Sequence, residues 1–124
     1  MAKRVLSVGQ CGPDHGTISR YLDQEFGCEV VASDLLVDTQ SKLKQQKFDL
    51  VLINRKLDQD YSDGLDIIRA LKADPATAGV PVMLVTNYPE HQEVAMAAGA
   101  LLGFGKLEFG KMETRERLAA VLES

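Results

Sequence analysis

The sequence predicts an α/β fold in which helices cover both faces of a five-stranded parallel sheet. Five short apolar runs alternate along the chain with segments of helical periodicity. Most of these runs are apolar at consecutive positions, which is typical of strands that are buried on both faces. The length of 124 residues fits one domain, residues 1–124, which buries enough surface to fold by itself.

Each strand is predicted from one of these apolar runs. The third run, residues 50–53, gives the strongest signal because its side chains are all large and apolar. The fifth run is weaker because Gly103 interrupts it. In chain order the predicted strands are residues 5–8, 30–32, 50–53, 82–86 and 101–104.

Helices are predicted between the strands from apolar stripes and from residues that start or stop a helix. Gly27 is expected to end the first helix, and Asp34 and Asp63 to cap the second and third. The third helix should end before Pro75, whereas Pro89 falls in the first turn of the fourth. The stripes are Ile18, Tyr21, Leu22 and Phe26, then Leu36 and Leu43, then Leu65, Ile68 and Leu71, then Ala95 and Ala98, then Leu118, Val121 and Leu122.

The alternation of strands and helices implies right-handed crossovers and a doubly wound sheet. With five strands the expected order is 2-1-3-4-5, which is a flavodoxin-like (βα)5 fold, a three-layer sandwich. Ligands in such folds bind at the carboxyl ends of the strands, near the switch point between strands 1 and 3. The loops that begin at Gly9, Asn54, Thr86 and Gly105 are therefore the places to look for a site.

The composition favours a protein partner over nucleic acid or a membrane. The net charge is -4, the pI is about 5.1 and the basic residues are scattered, whereas phosphate backbones select clustered Lys and Arg. Lys42, Lys44 and Lys47 are expected on a solvated helix face. No segment reaches the roughly 20 apolar residues that span a bilayer, and the first residues lack a signal-peptide apolar region. Two cysteines make no disulfide framework, which indicates a reducing cytoplasm.

Four stretches of the chain form a pattern that covers nearly its whole length. They are residues 48–54 (FDLVLIN), residues 63–72 (beginning DGL and ending LK), residues 81–86 (PVMLVT) and residues 97–100 (AAGA), the last followed by Lys106. In this order they resemble the receiver domains of two-component response regulators. The resemblance implies the fold given above and a role in phosphorelay signal transduction.

In the family that this chain resembles, an aspartate at the end of strand 3 accepts the phosphoryl group. Two acidic residues after strand 1 hold Mg²⁺ with it, a Thr or Ser ends strand 4 and a Lys ends strand 5. The chemistry requires these residue types, because Mg²⁺ prefers oxygen ligands and the acceptor carboxylate is the nucleophile. The metal and the lysine offset the charge on the transferring group.

This chain keeps half of that set. Thr86 stands at the hydroxyl position and Lys106 at the lysine position. Gly9 and Gln10 replace the acidic pair, and Asn54 replaces the acceptor. Since an amide is a poor nucleophile and a weak metal ligand, we expect a degenerate phosphoacceptor site with no metal and no other cofactor. Restoring carboxylates at Gly9, Gln10 and Asn54 together is expected to permit Mg²⁺ binding, unless the loop after Asn54 prevents it.

Other departures from the family concern switching. Gly103 stands at the aromatic switch position with Phe104 beside it, and Leu107 replaces the usual proline. The loop from Asn54 to Gly64 is longer than is usual in the family. The resemblance therefore implies the fold and a partner-binding role, but not a phosphorylation switch.

Several polar residues near the strand ends leave alternatives open. Lys106 is expected to bond Asn54 or a loop carbonyl, and the alternative is an anion site with Thr86. In the loop after strand 3, Asp58 or Asp60 is the alternative phosphoacceptor.

Cys11 starts the first helix, whose dipole favours a reactive thiol, so a small-ligand or redox sensor in the top cleft is a further alternative. Cys28 should lie at the opposite end of the sheet, so both thiols are expected to be free. Asp14, His15 and His91 share the top face with Cys11, yet their spacing matches no metal motif. The run 9–12 before the helix matches no phosphate-binding motif.

An apolar cluster around strand 5 and the following loop predicts an interaction face. Leu107, Phe109 and Met112 are its expected members, while Leu101 and Leu102 are equally compatible with the core. The family resemblance implies partner or weak homodimer contacts through helix 4, strand 5 and helix 5. The sequence therefore predicts a signalling module that binds protein partners and is not an enzyme.

Overall fold

The computed structural model describes residues 2–123, so Met1 and Ser124, the ends of the predicted domain, lie outside the described residues. Five parallel strands form one sheet in the order β2-β1-β3-β4-β5, which confirms the predicted topology. The strands are β1 (Arg4–Val8), β2 (Glu29–Ser33), β3 (Leu50–Asn54), β4 (Val82–Val85) and β5 (Leu101–Phe104). The helices are α1 (Gly12–Phe26), α2 (Leu36–Gln45), α3 (Gly64–Ala73), α4 (Pro89–Ala97) and α5 (Met112–Leu122), with a 3-10 turn at Lys106–Glu108.

The core consists of two apolar clusters, one on each face of the sheet. One cluster joins the sheet to α3 and α4, and the other joins it to α1 and α5. The central strands contribute to both clusters, since consecutive side chains of a strand point to opposite faces. Double burial explains why these strands are apolar at consecutive positions. Among residues 2–123, no helix is long and apolar enough to cross a membrane.

The helix ends follow the predicted signals except at α2. Gly27 ends α1 in the left-handed conformation, and the Asp63 carboxylate accepts a 2.9 Å hydrogen bond from the N–H of Leu65 at the start of α3. Asp34 does not cap α2, which begins one residue later than that prediction requires. Instead Asp38 reaches back, and its carboxylate accepts 2.7 Å hydrogen bonds from the N–H groups of Asp34 and Leu35.

The edge strand β5 contains a bulge that the sequence did not indicate. Its register passes from Met83 opposite Leu101 to Val85 opposite Phe104, so one extra residue is inserted beside β4. Leu101 and Leu102 are exposed, which corrects the expectation that they are as compatible with the core as with the surface. They face outward because β5 is the sheet edge, whereas Phe104, beyond the bulge, is buried.

Candidate functional site

A pocket of about 400 Å³ opens at the carboxyl ends of β3, β4 and β5. Asn54, Thr86 and Lys106 all line it, so three of the five predicted site residues converge there. They converge because parallel strands bring their carboxyl ends to one edge of the sheet. Gly9 and Gln10 are not part of its lining. Polar or basic lining also comes from Arg55, Lys56, Asn87 and His91.

The space beside Gly9 is filled by Leu57. Gly9 has a φ of +73°, and a Cβ atom built there would collide with the Cδ2 atom of Leu57. Leu57 is only 2% exposed and belongs to the core cluster on the α3 side of the sheet. A side chain at Gly9 would therefore be strained by its backbone and blocked by hydrocarbon. This packing is an obstacle, contributed by the loop after Asn54, to the Mg²⁺ binding expected from carboxylates at positions 9, 10 and 54, and that expectation stays a prediction.

The Asn54 side chain is held by main-chain carbonyls. Its amide nitrogen donates to the carbonyl oxygen of Lys56 at 2.6 Å and approaches that of Gly9 at 3.4 Å. Both partners are acceptors, so they suit an amide donor and would repel an ionised carboxylate in the same place. The site thus has a local preference for Asn over Asp at this position.

The long loop after β3 is a small hairpin. Lys56 and Asp63 form an antiparallel bridge, the N–H of Leu57 donates to Ser62, and Tyr61 closes the turn with a φ of 60°. The hairpin places Leu57 against Gly9, because hydrogen bonds fix the backbone on either side of Leu57. The additional loop length therefore has a structural role at the site.

The two loop acids lie away from the strand-end pocket. The Asp60 carboxylate accepts hydrogen bonds from the Ser62 hydroxyl at 2.6 Å and the Ser62 N–H at 3.0 Å, and these bonds lower the pKa of Asp60. Asp60 lines a separate pocket between α2 and α3, and neither it nor Asp58 lines the pocket of Thr86 and Lys106. Their placement gives no support to an alternative acceptor.

Lys106 is paired with a carboxylate from α1. Its Nζ lies 2.6 Å from Oδ2 of Asp14, which corrects the expected partners, Asn54 and a loop carbonyl. The hydrogen bond from Lys106 lowers the pKa of Asp14, burial opposes this effect, and a hydrogen bond from Cys11 adds to it. This pair could not be inferred from the sequence, because the two residues are far apart in the chain.

Thr86 is almost fully buried at the floor of the pocket. Its hydroxyl oxygen accepts from the N–H of Tyr88 at 3.3 Å and lies 3.3 Å from Nδ1 of His91. The Tyr88 and His91 rings contact each other edge to face at the rim, with centroids 5.3 Å apart. Residues at the start of α4 therefore orient the Thr86 hydroxyl.

Gln92 and Arg117 hold the bulge of β5 and were not identified from the sequence. The Gln92 amide accepts from the N–H of Gly103 at 2.9 Å and donates to the carbonyl oxygen of Leu84 at 2.9 Å. Arg117 donates to the carbonyl oxygen of Gly103 at 2.9 Å. A Cβ atom at Gly103 would collide with the Leu84 carbonyl oxygen, so an aromatic side chain cannot occupy this position in the observed backbone. The only sequence signals were a glycine in a strand and a glutamine on a buried helix face.

Both cysteines are free thiols, as predicted. Cys28 is buried, and burial raises the pKa of its thiol, with Asp49 and Asp23 adding to the shift. In the described chain, no group of three or more His, Cys, Asp or Glu side chains is placed to hold a metal ion. The alternative of a transition-metal site is not supported, because His15 contacts the Ser19 hydroxyl while His91 contacts Thr86.

The predicted interaction face contains two residues whose side chains are largely exposed. Leu107 is 84% exposed and Met112 is 71% exposed. Phe109 is partly buried, because its ring packs on Tyr21 at a centroid distance of 4.7 Å and on Phe104 at 5.3 Å. Met112 starts α5, whereas the sequence placed it in the loop.

The strand order and the strand-end pocket define a flavodoxin-like α/β domain. No protein-family model matches the sequence, and a comparison with curated proteins also found no match. Solved structures do match over nearly the whole chain. The signal receiver domain of a DNA-binding response regulator (merR) from Colwellia psychrerythraea 34H has a TM-score of 0.80 at 20% identity, covering 98% of this chain and 99% of that chain.

Two further receiver structures agree with this result. The BeF3-activated receiver domain of RstA from Klebsiella pneumoniae has a TM-score of 0.79 at 20% identity, covering 98% of this chain and 100% of that chain. A response regulator receiver protein from Pseudomonas putida has a TM-score of 0.77 at 22% identity, covering 97% of this chain and 98% of that chain. The chain has the receiver-domain fold of two-component response regulators.

Proposed function

We propose that this chain is a receiver-like signalling domain that accepts no phosphoryl group and acts by binding a protein partner. In this proposal it is a binding module rather than an enzyme, and it works in the cytoplasm as one domain. The receiver fold supports the signalling role, and the two free thiols are compatible with a reducing compartment.

The packing of Leu57 against Gly9 is the observation that carries the proposal. A hydrated Mg²⁺ ion needs several oxygen ligands, and a buried leucine beside Gly9 supplies none. Asn54 supplies no nucleophile, and its amide is bonded to the carbonyl of Lys56. Each tenfold loss of rate corresponds to about 1.4 kcal/mol of barrier, so losing both nucleophile and metal abolishes transfer on any useful time scale.

The exposed apolar surface around β5 supports the choice of a protein partner. Met96 of α4 is exposed, as are Leu101 and Leu102 of β5, and Leu107 and Met112 lie beyond the end of β5. Apolar surface of this kind favours association with another protein. In this proposal the α4–β5–α5 face makes the partner contacts or a weak homodimer.

Incubation with Mg²⁺ and acetyl phosphate tests the loss of phosphoryl transfer. We expect the intact mass of the wild-type chain, measured under conditions that preserve acyl phosphates, to stay unchanged. A receiver domain that retains the acceptor and both acids is the positive control. A stoichiometric gain of one phosphoryl group would refute the proposal, and its loss in Asp58→Asn or Asp60→Asn would identify the acceptor.

A further inference from the structure

A groove of about 230 Å³ separates the start of α2 from α3 and the hairpin that follows β3. Leu35 and Leu36 line it at the start of α2, and the almost fully buried side chains of Leu57 and Ile67 line it from the other side. All four belong to the core cluster on the α3 side of the sheet or pack against it. The groove is therefore a place where the apolar core is open to solvent.

Two exposed side chains extend this apolar surface. Val37 lines the groove and is 79% exposed. Tyr61, at the tip of the hairpin, is 75% exposed, and its N–H donates a 2.8 Å hydrogen bond to the carbonyl oxygen of Leu57. This bond holds Tyr61 at its φ of 60°, a conformation that is uncommon for a bulky residue. Exposed apolar groups around a groove favour contact with another protein, and tyrosine is common at such contacts.

Carboxylates surround the groove. All of its lining comes from residues 34–38 and 57–67, which contain no Lys or Arg and hold six of the 18 acidic residues of the chain. A surface of one charge sign attracts a partner of the opposite sign. The six are Asp34, Asp38, Asp58, Asp60, Asp63 and Asp66, of which Asp60, Asp63 and Asp66 line the groove directly.

These carboxylates are only partly engaged within the protein. Asp66 pairs with Arg69 at 3.5 Å, where both side chains are more than half exposed, and Arg55 approaches Asp63 only at 3.9 Å. Exposed pairs of this kind contribute little. The hydrogen bonds that Asp60 accepts come from a neutral serine. Since a carboxylate can accept several hydrogen bonds, the rim can accept more from a basic side chain.

The size and chemistry of the groove select its occupant. A volume of about 230 Å³ is below the roughly 300–1,000 Å³ of small-molecule sites, so the groove suits one side chain of a protein better than a whole small ligand. Within residues 2–123, the carboxylates form no group that is placed to hold a metal ion. The complement of an apolar groove with a carboxylate rim is an apolar side chain flanked by Lys or Arg.

We propose that this groove binds a basic segment of a partner protein through an apolar anchor side chain. The anchor packs on Leu36, Val37 and Leu57, and flanking lysines or arginines pair with Asp60 and Asp66. This inference rests on the proposed function, because it gives the partner-binding domain a second contact surface and specifies the chemistry of the segment bound there. Since its lining comes from α2, α3 and the hairpin, the groove is distinct from the α4–β5–α5 face.

Titration with a short synthetic peptide in which leucines alternate with arginines, followed by ¹⁵N–¹H spectra at constant ionic strength, tests the proposal. We expect saturable shifts centred on residues 34–38 and 57–67. A peptide with serine in place of leucine should bind more weakly at the same residues, and a peptide with glutamate in place of arginine should cause no shifts. Shifts scattered over the surface, or centred on the α4–β5–α5 face, would overturn the proposal.

Matched variants separate the groove from general attraction to an acidic chain. Asp66→Asn should weaken peptide binding about threefold, because it removes one exposed charge. Val37→Ser should weaken it about tenfold, because it removes apolar contact area. Both side chains are exposed, so these variants retain the fold. Asp23→Asn is the control, since Asp23 is an exposed aspartate of α1 outside the groove, and its affinity should match that of wild type. Unchanged affinity in Val37→Ser would overturn the proposal.

Two further measurements distinguish the other outcomes. Wild-type self-association that is lost in Val37→Ser would assign the groove to a second copy of the chain and overturn the choice of a basic partner. A phosphoryl group gained from acetyl phosphate would refute the proposed function whether or not the peptide binds. An unchanged mass together with no peptide binding would overturn only the groove.

Discussion

The Lys106 ammonium group is partly exposed, so water solvates part of its charge. Gly9 and Gln10 offer it no carboxylate. Asp14 in the first turn of α1 supplies the counter-charge instead. A carboxylate in that turn is also favoured by the helix dipole, so one residue serves both the lysine and the helix.

Removing the ammonium group should raise the pKa of Asp14. In Lys106→Gln the hydrogen bond that lowers this pKa is lost, so the carboxyl should titrate closer to its ordinary value of 3.8. Asp38 is the control: burial raises its pKa, but backbone hydrogen bonds from Asp34 and Leu35 lower it overall and do not involve Lys106. Carboxyl ¹³C titration of Asp14 and Asp38 in the wild type and in Lys106→Gln measures this. Equal movement of Asp14 and Asp38 would contradict the assignment of the pair.

The same pair gives a stability change whose sign follows from the direction of the shift. The pKa of Asp14 in the folded state lies below 3.8, so the stabilisation is fully present above 3.8. It is lost as the pH falls below that value through the folded-state pKa. Because both side chains are about one-third exposed, Asp14→Asn should cost less than about 1 kcal/mol at pH 7.

Among the elements, buried strands were the most predictable from sequence and β5 was the least. The apolar runs of β1, β3 and β4 indicated their burial because helices cover both faces of a parallel sheet. The sequence signal of the bulge at Gly103 was a glycine within a strand pattern. Such a glycine is compatible with several backbone geometries. The predicted start of α2 was one residue too early, because Asp38, which lies inside the helix, caps its first turn.

Gln92 should be important for the stability of β5. Replacing it with alanine leaves the N–H of Gly103 and the carbonyl oxygen of Leu84 without this partner in a buried place. We expect Gln92→Ala to lower the free energy of unfolding by about 2–3 kcal/mol. Urea unfolding followed by circular dichroism measures it.

The neighbouring residue Glu93 provides the control for that experiment. It is exposed on the same helix, so Glu93→Ala should change stability by less than about 0.5 kcal/mol. Similar effects of the two substitutions would show that Gln92 does not hold the bulge.

At the scale of the whole molecule, the position of the site could be predicted from the sequence, whereas the side chains that pack around it could not. Asn54 and Lys106 were placed together because the topology brings strand ends to one edge. Leu57 beside Gly9 and Asp14 beside Lys106 depend on how loops and α1 pack, which no local pattern encodes. Tertiary contacts of this kind decide whether the site can be restored by substitution.

The α4–β5–α5 face is the part of the surface where whole-molecule association should occur. Leu107 and Met112 expose apolar side chains after β5 and at the start of α5, and the Phe109 ring packs on Tyr21 and Phe104. Phe109→Asp would therefore disturb the fold as well as the surface. Leu107→Asp with Met112→Asp is the sharper test, because both side chains project into solvent.

Sedimentation equilibrium over a range of concentrations should detect weak self-association of the wild type through this face. The Leu107→Asp, Met112→Asp double variant should remain monomeric, because charge on both chains opposes burial of the patch. Val37→Asp is the matched control, since Val37 is an apolar residue of α2 that is 79% exposed and lies outside this face. Its association should equal that of wild type. Equal association of the double variant and wild type would place the contact elsewhere on the molecule, and a wild type that stays monomeric throughout would contradict the homodimer.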